Sequence, residues 1–493
     1  MDHGEWMRIH RLVVPAGIPL VDGPGPEEPS DYESGFVLPV HSTKPLQTLN
    51  RTDIDNGLEF HELPHVYTLN GVPASTSVTA LAHEYESPFD PQAAIQMMKS
   101  SRSQAWPRLA YVCDARVWGD EDVPWSPTRG ALLVSADGKT RAVCQPNSLA
   151  NGTEVPTLLR SLAGTLEGGG GARGKVAKIS HGGGSAGCPS GASAKVDEED
   201  CLVYTFSRSM NDQEIQDSWS RKGTLACNKG THAHYLAELF FNGLPTRRCP
   251  ETEILAQFAR DHMVPNGILA FNTEKEIVCK DADVAGSIDL IVFDPSKKIY
   301  HIVDHKRSDK LQTQLRGYGK MREPFQHLDD CKGAAYALQT SIYQFILERD
   351  YGMIFGDRVL LSLHPDAPFV TSVPYLKEEV RFIMDKRIQL VKARNRVRDA
   401  CPDGRMTCAL TKAPLVDAVV LPDGRRCMLK AAVVRKLDYE RDEPRIGEFT
   451  LLVEKERERM DRAGGEDRVT PFDKTKCLSW KKSMPVNGLP NPF

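Results

Sequence analysis

The sequence predicts an α/β protein, and three observations carry the prediction. Between about 276 and 304, three short runs rich in Val, Ile and Phe are separated by turn residues, the pattern of antiparallel strands. Helical spacing of apolar residues precedes them at 219–242 and 251–262. It returns after them at 334–349 and 376–398. Helix, then strands, then helix specifies an α/β core rather than a bundle or a β-sandwich.

Each element follows in chain order. Residues 1–58 carry clustered prolines, as in Pro24-Gly25-Pro26-Glu27-Glu28-Pro29, and are expected to be mostly irregular. His65-Val66-Tyr67-Thr68-Leu69 reads as a strand, Asn70-Gly71 as a tight turn, and Ser77 as the cap of a helix opening Val78-Thr79-Ala80-Leu81. The stretch 113–203 changes character, with glycine runs at 168–171 and 182–184 and few aromatics. Its centre, 163–198, has too little apolar surface to offset its ordering entropy and is expected to lack fixed structure. A true insertion and sequence retained in a gene model are both compatible with it.

The helix at 219–242 stops at Asn242-Gly243, and a second helix covers 251–262. Strands at 276–278 and 288–293 lead to the turn Asp294-Pro295-Ser296-Lys297-Lys298 and a third strand at 299–304. A strongly amphipathic helix is expected at 334–349, a fourth strand at 359–363 and a long basic helix at 376–398. The domain layout is then 59–112 and 204–400 as one core, interrupted by 113–203. A compact α+β module at 401–465 and a tail at 466–493 follow.

Composition narrows the functional classes. Lys and Arg number 62 against 66 Asp and Glu, a net charge of -4, which excludes a histone-like polycation and leaves room for a local basic groove. No apolar run approaches the roughly 18 residues that span a bilayer, so no membrane partner is expected. The opening Met1-Asp2-His3-Gly4-Glu5-Trp6 has no apolar stretch of the secretory kind, and its acids weigh against a mitochondrial presequence. Twelve cysteines without C-x-x-C pairs suit a reducing compartment and exclude a zinc ribbon, a disulfide scaffold and a four-cysteine iron–sulfur site. The expectation is an intracellular protein of the nucleus or cytoplasm.

Chemistry concentrates in two strands. Gly286-Ser287-Ile288-Asp289 and, past the hairpin turn, Asp304-His305-Lys306-Arg307-Ser308 place carboxylates inside apolar runs. A charge in such a run is costly unless it is paired or metal-bound. Side chains alternate along a strand, so Asp304 and Lys306 share a face while His305 points away. If the hairpin pairs directly, Asp289 approaches Asp304, and two repelling carboxylates call for a divalent cation such as Mg²⁺ or Mn²⁺. Lys306 would then orient a water or stabilise phosphate charge. Upstream, Gly230-Thr231-His232-Ala233-His234 leads to Glu238, and His234 and Glu238 lie on one helical face. Downstream, Gln339 and Tyr343 repeat that spacing with neutral groups suited to phosphates or bases. Glu276, on the preceding strand, reads as structural, and the series Lys386, Arg387, Lys392, Arg394, Arg396 and Arg398 as a solvated helix face.

Together these residues resemble the PD-(D/E)XK nuclease superfamily, closest to its RecB-like branch. Its G-T-x-x-H, G-x-x-D, D-x-K and Q-x-x-x-Y steps occur in the family's order at Gly230 to His234, Gly286 to Asp289, Asp304 to Lys306, and Gln339 to Tyr343. The resemblance covers about 59–373, less the insertion, and includes an upstream H-x-Y, S-V-T and F-D-P lead-in between His65 and Pro91. Arg307-Ser308 stand where Thr-Ser is common, and Asp304 where many members carry Glu. The resemblance implies a restriction-endonuclease-like mixed sheet flanked by helices. It implies metal held by His234, Asp289 and Asp304, with Glu238 in reserve. Asp289, Asp304 and Lys306 would be catalytic, and Gln339 with Tyr343 would bind the strand. The implied activity is Mg²⁺-dependent phosphodiester hydrolysis of DNA, as single strands or duplex ends, with RNA also open.

The C-terminal stretch resembles the U-box, a metal-free relative of the RING domain that binds ubiquitin-conjugating enzymes. Its steps appear as Cys408-Ala409-Leu410-Thr411, Asp417-Ala418-Val419, Asp423-Gly424-Arg425-Arg426-Cys427 and Pro444-Arg445-Ile446-Gly447, without two prolines and an aromatic of the pattern. A generic ββα unit explains the same residues. The rival function is therefore a ubiquitin-ligase adaptor whose nuclease-like domain only binds DNA.

Overall fold

The apolar runs become the inner strands of a mixed sheet in the computed structural model. The structure describes residues 20–22, 46–47, 50–61, 66–101, 106–107, 109–113, 116–118, 131–136, 141–144, 202–400, 418–420, 426–428, 472–477 and 480. Contacts divide the chain into two units, one of Met1–Ser87 with Ala226–Phe493, the other of Pro88–Leu225.

The first unit includes β1 (Leu58–His61), β2 (Val66–Leu69) and β3 (Val72–Pro73), a small antiparallel sheet. Asn70 and Gly71 both take positive φ at its turn, which a glycine and an asparagine tolerate. β4 (Thr76–Ser77) runs into α1 (Val78–His83), and the Ser77 side chain accepts a hydrogen bond from the Ala80 amide as an N-cap. Then come α2 (Asp212–Phe241), of which the part from Ala226 belongs here, and α3 (Pro250–Phe258). The large sheet is built from β5 (Leu269–Cys279), β6 (Val284–Asp294), β7 (Ile299–Lys306), β8 (Phe355–Ser362) and β9 (Phe369–Val373). The order is β5-β6-β7-β8-β9, and β4 also pairs with β6. β7 and β8 are parallel and the other sequential pairs antiparallel. Parallel neighbours need a long crossover, and α4 (Lys332–Asp350) supplies it. α5 (Lys377–Ala400) follows β9.

Alternation along the strands sorts the core into two layers. Ile291, Phe293, Ile302 and Leu360 face α1, α4 and α5 together with Leu338, Ile342, Val380 and Met384. Leu290, Val292, Val303 and Leu361 face Ala237, Phe240 and Phe241 of α2 and Leu255 of α3. The protein is thus a mixed α/β fold with helices on both faces of a mixed sheet. Among the described residues no helix is long and apolar enough to cross a membrane.

Several boundaries differ from expectation. α2 begins at Asp212 rather than 219, because Asn211 and Glu214 exchange side chain–backbone hydrogen bonds as a capping box. The second helix ends at Phe258 and continues as one wider turn, Ala259–Met263. α4 is not amphipathic: it is buried from Gly333 to Ala335, from Ala337 to Gln344, and at Ile346 and Leu347. As the crossover, it is covered on several sides instead of one. The N-terminal stretch is not wholly irregular, since Leu20–Val21 pairs in parallel with Thr246–Arg247 and Asp53–Asp55 forms a 3-10 turn.

The second unit reaches beyond the expected 113–203 segment on both sides. It holds the helix Pro91–Ser100, capped by Asp90, and a four-stranded sheet in the order Arg116–Trp118, Leu202–Phe206, Ala131–Ser135, Arg141–Cys144. Backbone pairing of Val112–Cys113 with Arg208–Ser209 brackets the stretch that carries this sheet. The glycine-rich centre at 163–198 lies outside the described residues. So does the 401–465 module, except for an antiparallel pair, Ala418–Val420 with Arg426–Met428. Of the 466–493 tail, residues 472–477 and 480 are described.

Candidate functional site

The register of the sheet sets three acids in a row. Thr273 faces Leu290 and Lys275 faces Ile288, so Glu274 lies across from Asp289. The β6–β7 pairing runs to Leu290 and Val303, and Asp289 and Asp304 are the next residue on each strand, close enough to repel each other. Like charges directly across a sheet destabilise it, and here they run over β5, β6 and β7. Glu274 also holds φ at 44, the left-handed region that a glutamate rarely adopts. Its carboxylate accepts from the Ser287 hydroxyl at 3.0 Å.

Cations close the row from both faces. From α2, His234 Nδ1 lies 3.5 Å from Asp289 Oδ1 and 3.8 Å from Glu274 Oε1. From β7, Lys306 Nζ lies 2.6 Å from Asp304 Oδ2, over the ring of Tyr336 on α4. The second Asp289 oxygen accepts the backbone N–H of His305 at 2.6 Å. Asp304 is 4% exposed and Asp289 12%, whereas His234 and Glu274 keep 30% and 28%. The row is therefore sealed at Asp304 and open to solvent at Glu274. His305 turns to the other side of the strand, as alternation requires, where its ring stacks on Phe241.

The electrostatics follow from burial and crowding. Burial pushes the Asp289 carboxyl well up, His234 offsets part of this, and Asp304 and Glu274 add to it. Burial lowers His234, but Asp289 and Glu274 outweigh it and hold the imidazole above its ordinary value. Burial also works against charge on Lys306, and Asp304 and Asp289 reverse it, so the ammonium stays protonated. His305 is kept neutral by burial, with His234 and Lys306 adding to the effect.

His234, Glu274 and Asp289 each offer one ligand atom within 4.8 Å of the others. An imidazole nitrogen with carboxylate oxygens suits Mn²⁺ and Mg²⁺, and a cation there would neutralise the row of acids. The donor set fits. It differs from the expected set of His234, Asp289 and Asp304 in one member: Glu274 joins the three-atom group, and Asp304 is held by Lys306. Glu238 is corrected. It is buried on α2 one turn past His234, about 6 Å along the axis, and is not in the group. Glu274 was not singled out by the sequence, where this strand was expected to begin at Glu276; β5 begins at Leu269, and its register sets Glu274 across from Asp289.

Gln339 and Tyr343 point inward. Gln339 Nε2 donates to Tyr343 Oη at 3.0 Å and to Thr79 Oγ1 at 3.3 Å. Tyr343 is 3% exposed, and a Cβ added to Gly286 would come 2.9 Å from its ring and 3.0 Å from Val78. The expectation that Tyr343 stacks on a base is therefore corrected, because its ring fills the space that Gly286 leaves. In the basic series, Arg387 donates to the Ala282 carbonyl and Lys386 lies over Tyr85, so these two brace the core rather than form a solvated face. No model of a known protein family matches the chain, and no curated protein matches its sequence.

Proposed function

We propose that this centre hydrolyses phosphodiester bonds, DNA foremost, and that the sheet with its helices is a restriction-endonuclease-like core of the PD-(D/E)XK type. The observation that carries the reading is the cross-strand row Glu274–Asp289–Asp304, flanked by His234 and Lys306. A pure binding module has no use for three repelling carboxylates in one row. His234, Glu274 and Asp289 would hold the divalent ion, with Asp304 beside them. When bound, Mg²⁺ or Mn²⁺ supplies a Lewis acid and an activated water. His234 must give up its Nδ1 proton to serve as a ligand. Lys306 stays charged, so it acts on developing phosphate charge and not as a base that takes a proton from water. Gln339 and Tyr343 act as positioning residues that fix β6 and with it Asp289.

The test is cleavage of single- and double-stranded DNA and RNA with Mg²⁺ or Mn²⁺, using the full chain. Asp289→Asn, Glu274→Gln and Lys306→Met should each lose at least about 10²-fold in rate, the scale of one electrostatic contact in the transition state. Wild-type levels of cleavage in purified Asp289→Asn would overturn the assignment.

A further inference from the structure

A second group of metal-ligating side chains lies away from the carboxylate row, on the helical side of the core. His327 sits in the loop before α4, Glu379 in the first turn of α5, and Cys477 in the C-terminal segment. Each offers one ligand atom, and these atoms lie within 4.8 Å of one another. His327 Nε2 is 2.6 Å from Glu379 Oε1. Glu379 is 1% exposed, and among the described residues no lysine or arginine pairs with it. His327 Nδ1 is buried without a hydrogen-bond partner.

We propose that His327, Glu379 and Cys477 form a binding site for a Zn²⁺-class ion that fastens the C-terminal segment to the core. Acids at a helix N-terminus are favoured by its dipole, which accounts for Glu379 being acidic. That does not account for a buried carboxylate meeting an imidazole and a thiol from two other segments. Ligand softness separates the two centres. Imidazole with carboxylates accepts Mg²⁺ or Mn²⁺, whereas a thiolate selects Zn²⁺. Burial, Glu379, Glu378 and Asp473 push the Cys477 thiol up to about 12, while Arg381 pairs with Glu378 and Lys476 with Asp473. A bound cation reverses that balance, because a coordinating thiol is deprotonated. Three protein ligands leave a fourth position for water.

The segment is built to be clasped at this point. Phe472 packs on Phe325, Phe382 and His327, with ring centroids 5.0, 5.4 and 5.6 Å away. Trp480, beyond the cysteine, is 2% exposed in the main core. Between these two anchors Asp473 caps a short turn at Lys474–Lys476, and its own amide donates to Glu378. The apolar anchors hold the two ends, and the metal would fix the middle.

This inference does not depend on the phosphodiesterase reading, and its test is separate. Co²⁺ added to the metal-free full chain should give a thiolate-to-cobalt charge-transfer band in wild type and in Asp289→Asn, but not in Cys477→Ser. Zn²⁺ should displace the band, and His327→Ala should weaken Zn²⁺ by more than about tenfold. A variant that fails to fold leaves the wild-type measurement standing: bound Zn²⁺ should shield Cys477 from alkylation, read by peptide mass. Absence of the band in wild type, an unchanged band in Cys477→Ser, or alkylation of Cys477 unaffected by Zn²⁺ would each overturn the site.

Discussion

At Tyr343 the hydroxyl and the ring have separate jobs. The ring is packed under Gly286, and the hydroxyl accepts from Gln339. Tyr343→Phe loses one buried hydrogen bond, about 0.5–1.5 kcal/mol. Tyr343→Ala opens a cavity worth about 3–5 kcal/mol. Denaturant midpoints should rank the two in that order, and strand binding by Tyr343→Phe should match wild type. A tenfold loss of nucleic-acid affinity in a stable Tyr343→Phe protein would show that the hydroxyl faces substrate after all. Lys306 makes the same point about charge. It is the ion-pair partner of a nearly buried Asp304, so Lys306→Ala strands a carboxylate and costs stability as well as activity.

Among the elements, β6 and its hairpin turn hold the site in register. Gly286→Ala would press a methyl against Tyr343 and Val78, an overpacking cost of about 1–3 kcal/mol. Val78→Ala in the same chain should recover part of that loss, since the two sites share one space. Strictly additive effects in a double-mutant cycle would refute the contact. At the turn into β7, Asp294 accepts from the Ser296 amide and hydroxyl and from the Lys297 amide. Burial would raise its carboxyl, but these bonds from Ser296 and Lys297, with the charge of Lys297, hold it below the ordinary range. Stability from a depressed acid is present above its unfolded value, about 3.9, and is lost as pH falls through the lower folded value. Asp294→Asn should melt earlier than wild type at pH 7, with the gap closing in acid. A gap that stays constant down to the acid transition would exclude this role.

These same elements show what the sequence could and could not convey. Strands β6, β7 and β8, the turn at 294–298, the Asn70-Gly71 turn and the stop at Gly243 were legible, because each is decided by residues next to one another; β9 and the first half of β5 were not expected. Asp289, Asp304, Lys306 and His234 were legible because a charge in an apolar strand, or a histidine facing one, stands out locally. Glu274 was not, since its place across from Asp289 depends on the pairing register and on a backbone kink at φ 44. Nor was the inward turn of Tyr343, because spacing along a helix does not reveal how many of its sides are covered. The motif glycine, the motif tyrosine and Val78 of the lead-in meet in one packing contact, a relation that only the fold displays.

Over the whole molecule, the carboxylate row sets stability against function. In the metal-free protein Asp289 is repelled by Glu274 and Asp304 and attracted by His234. Asp289→Asn removes both effects together and keeps an oxygen that can accept the His305 amide. Its metal-free melting temperature should therefore stay close to that of wild type, or exceed it. A bound ion adds stability as RT ln(1 + [L]/Kd), about 2.7 kcal/mol at a hundred times Kd. Mn²⁺ should accordingly raise the wild-type melting temperature and leave Asp289→Asn nearly unmoved. The comparison belongs in the presence of enough Zn²⁺ to saturate any thiolate site, so that only the oxygen-rich centre responds. A variant that is much less stable without metal would mean that the carboxylate braces the fold and was not kept for chemistry. An equal Mn²⁺ shift in both proteins would place the ion elsewhere.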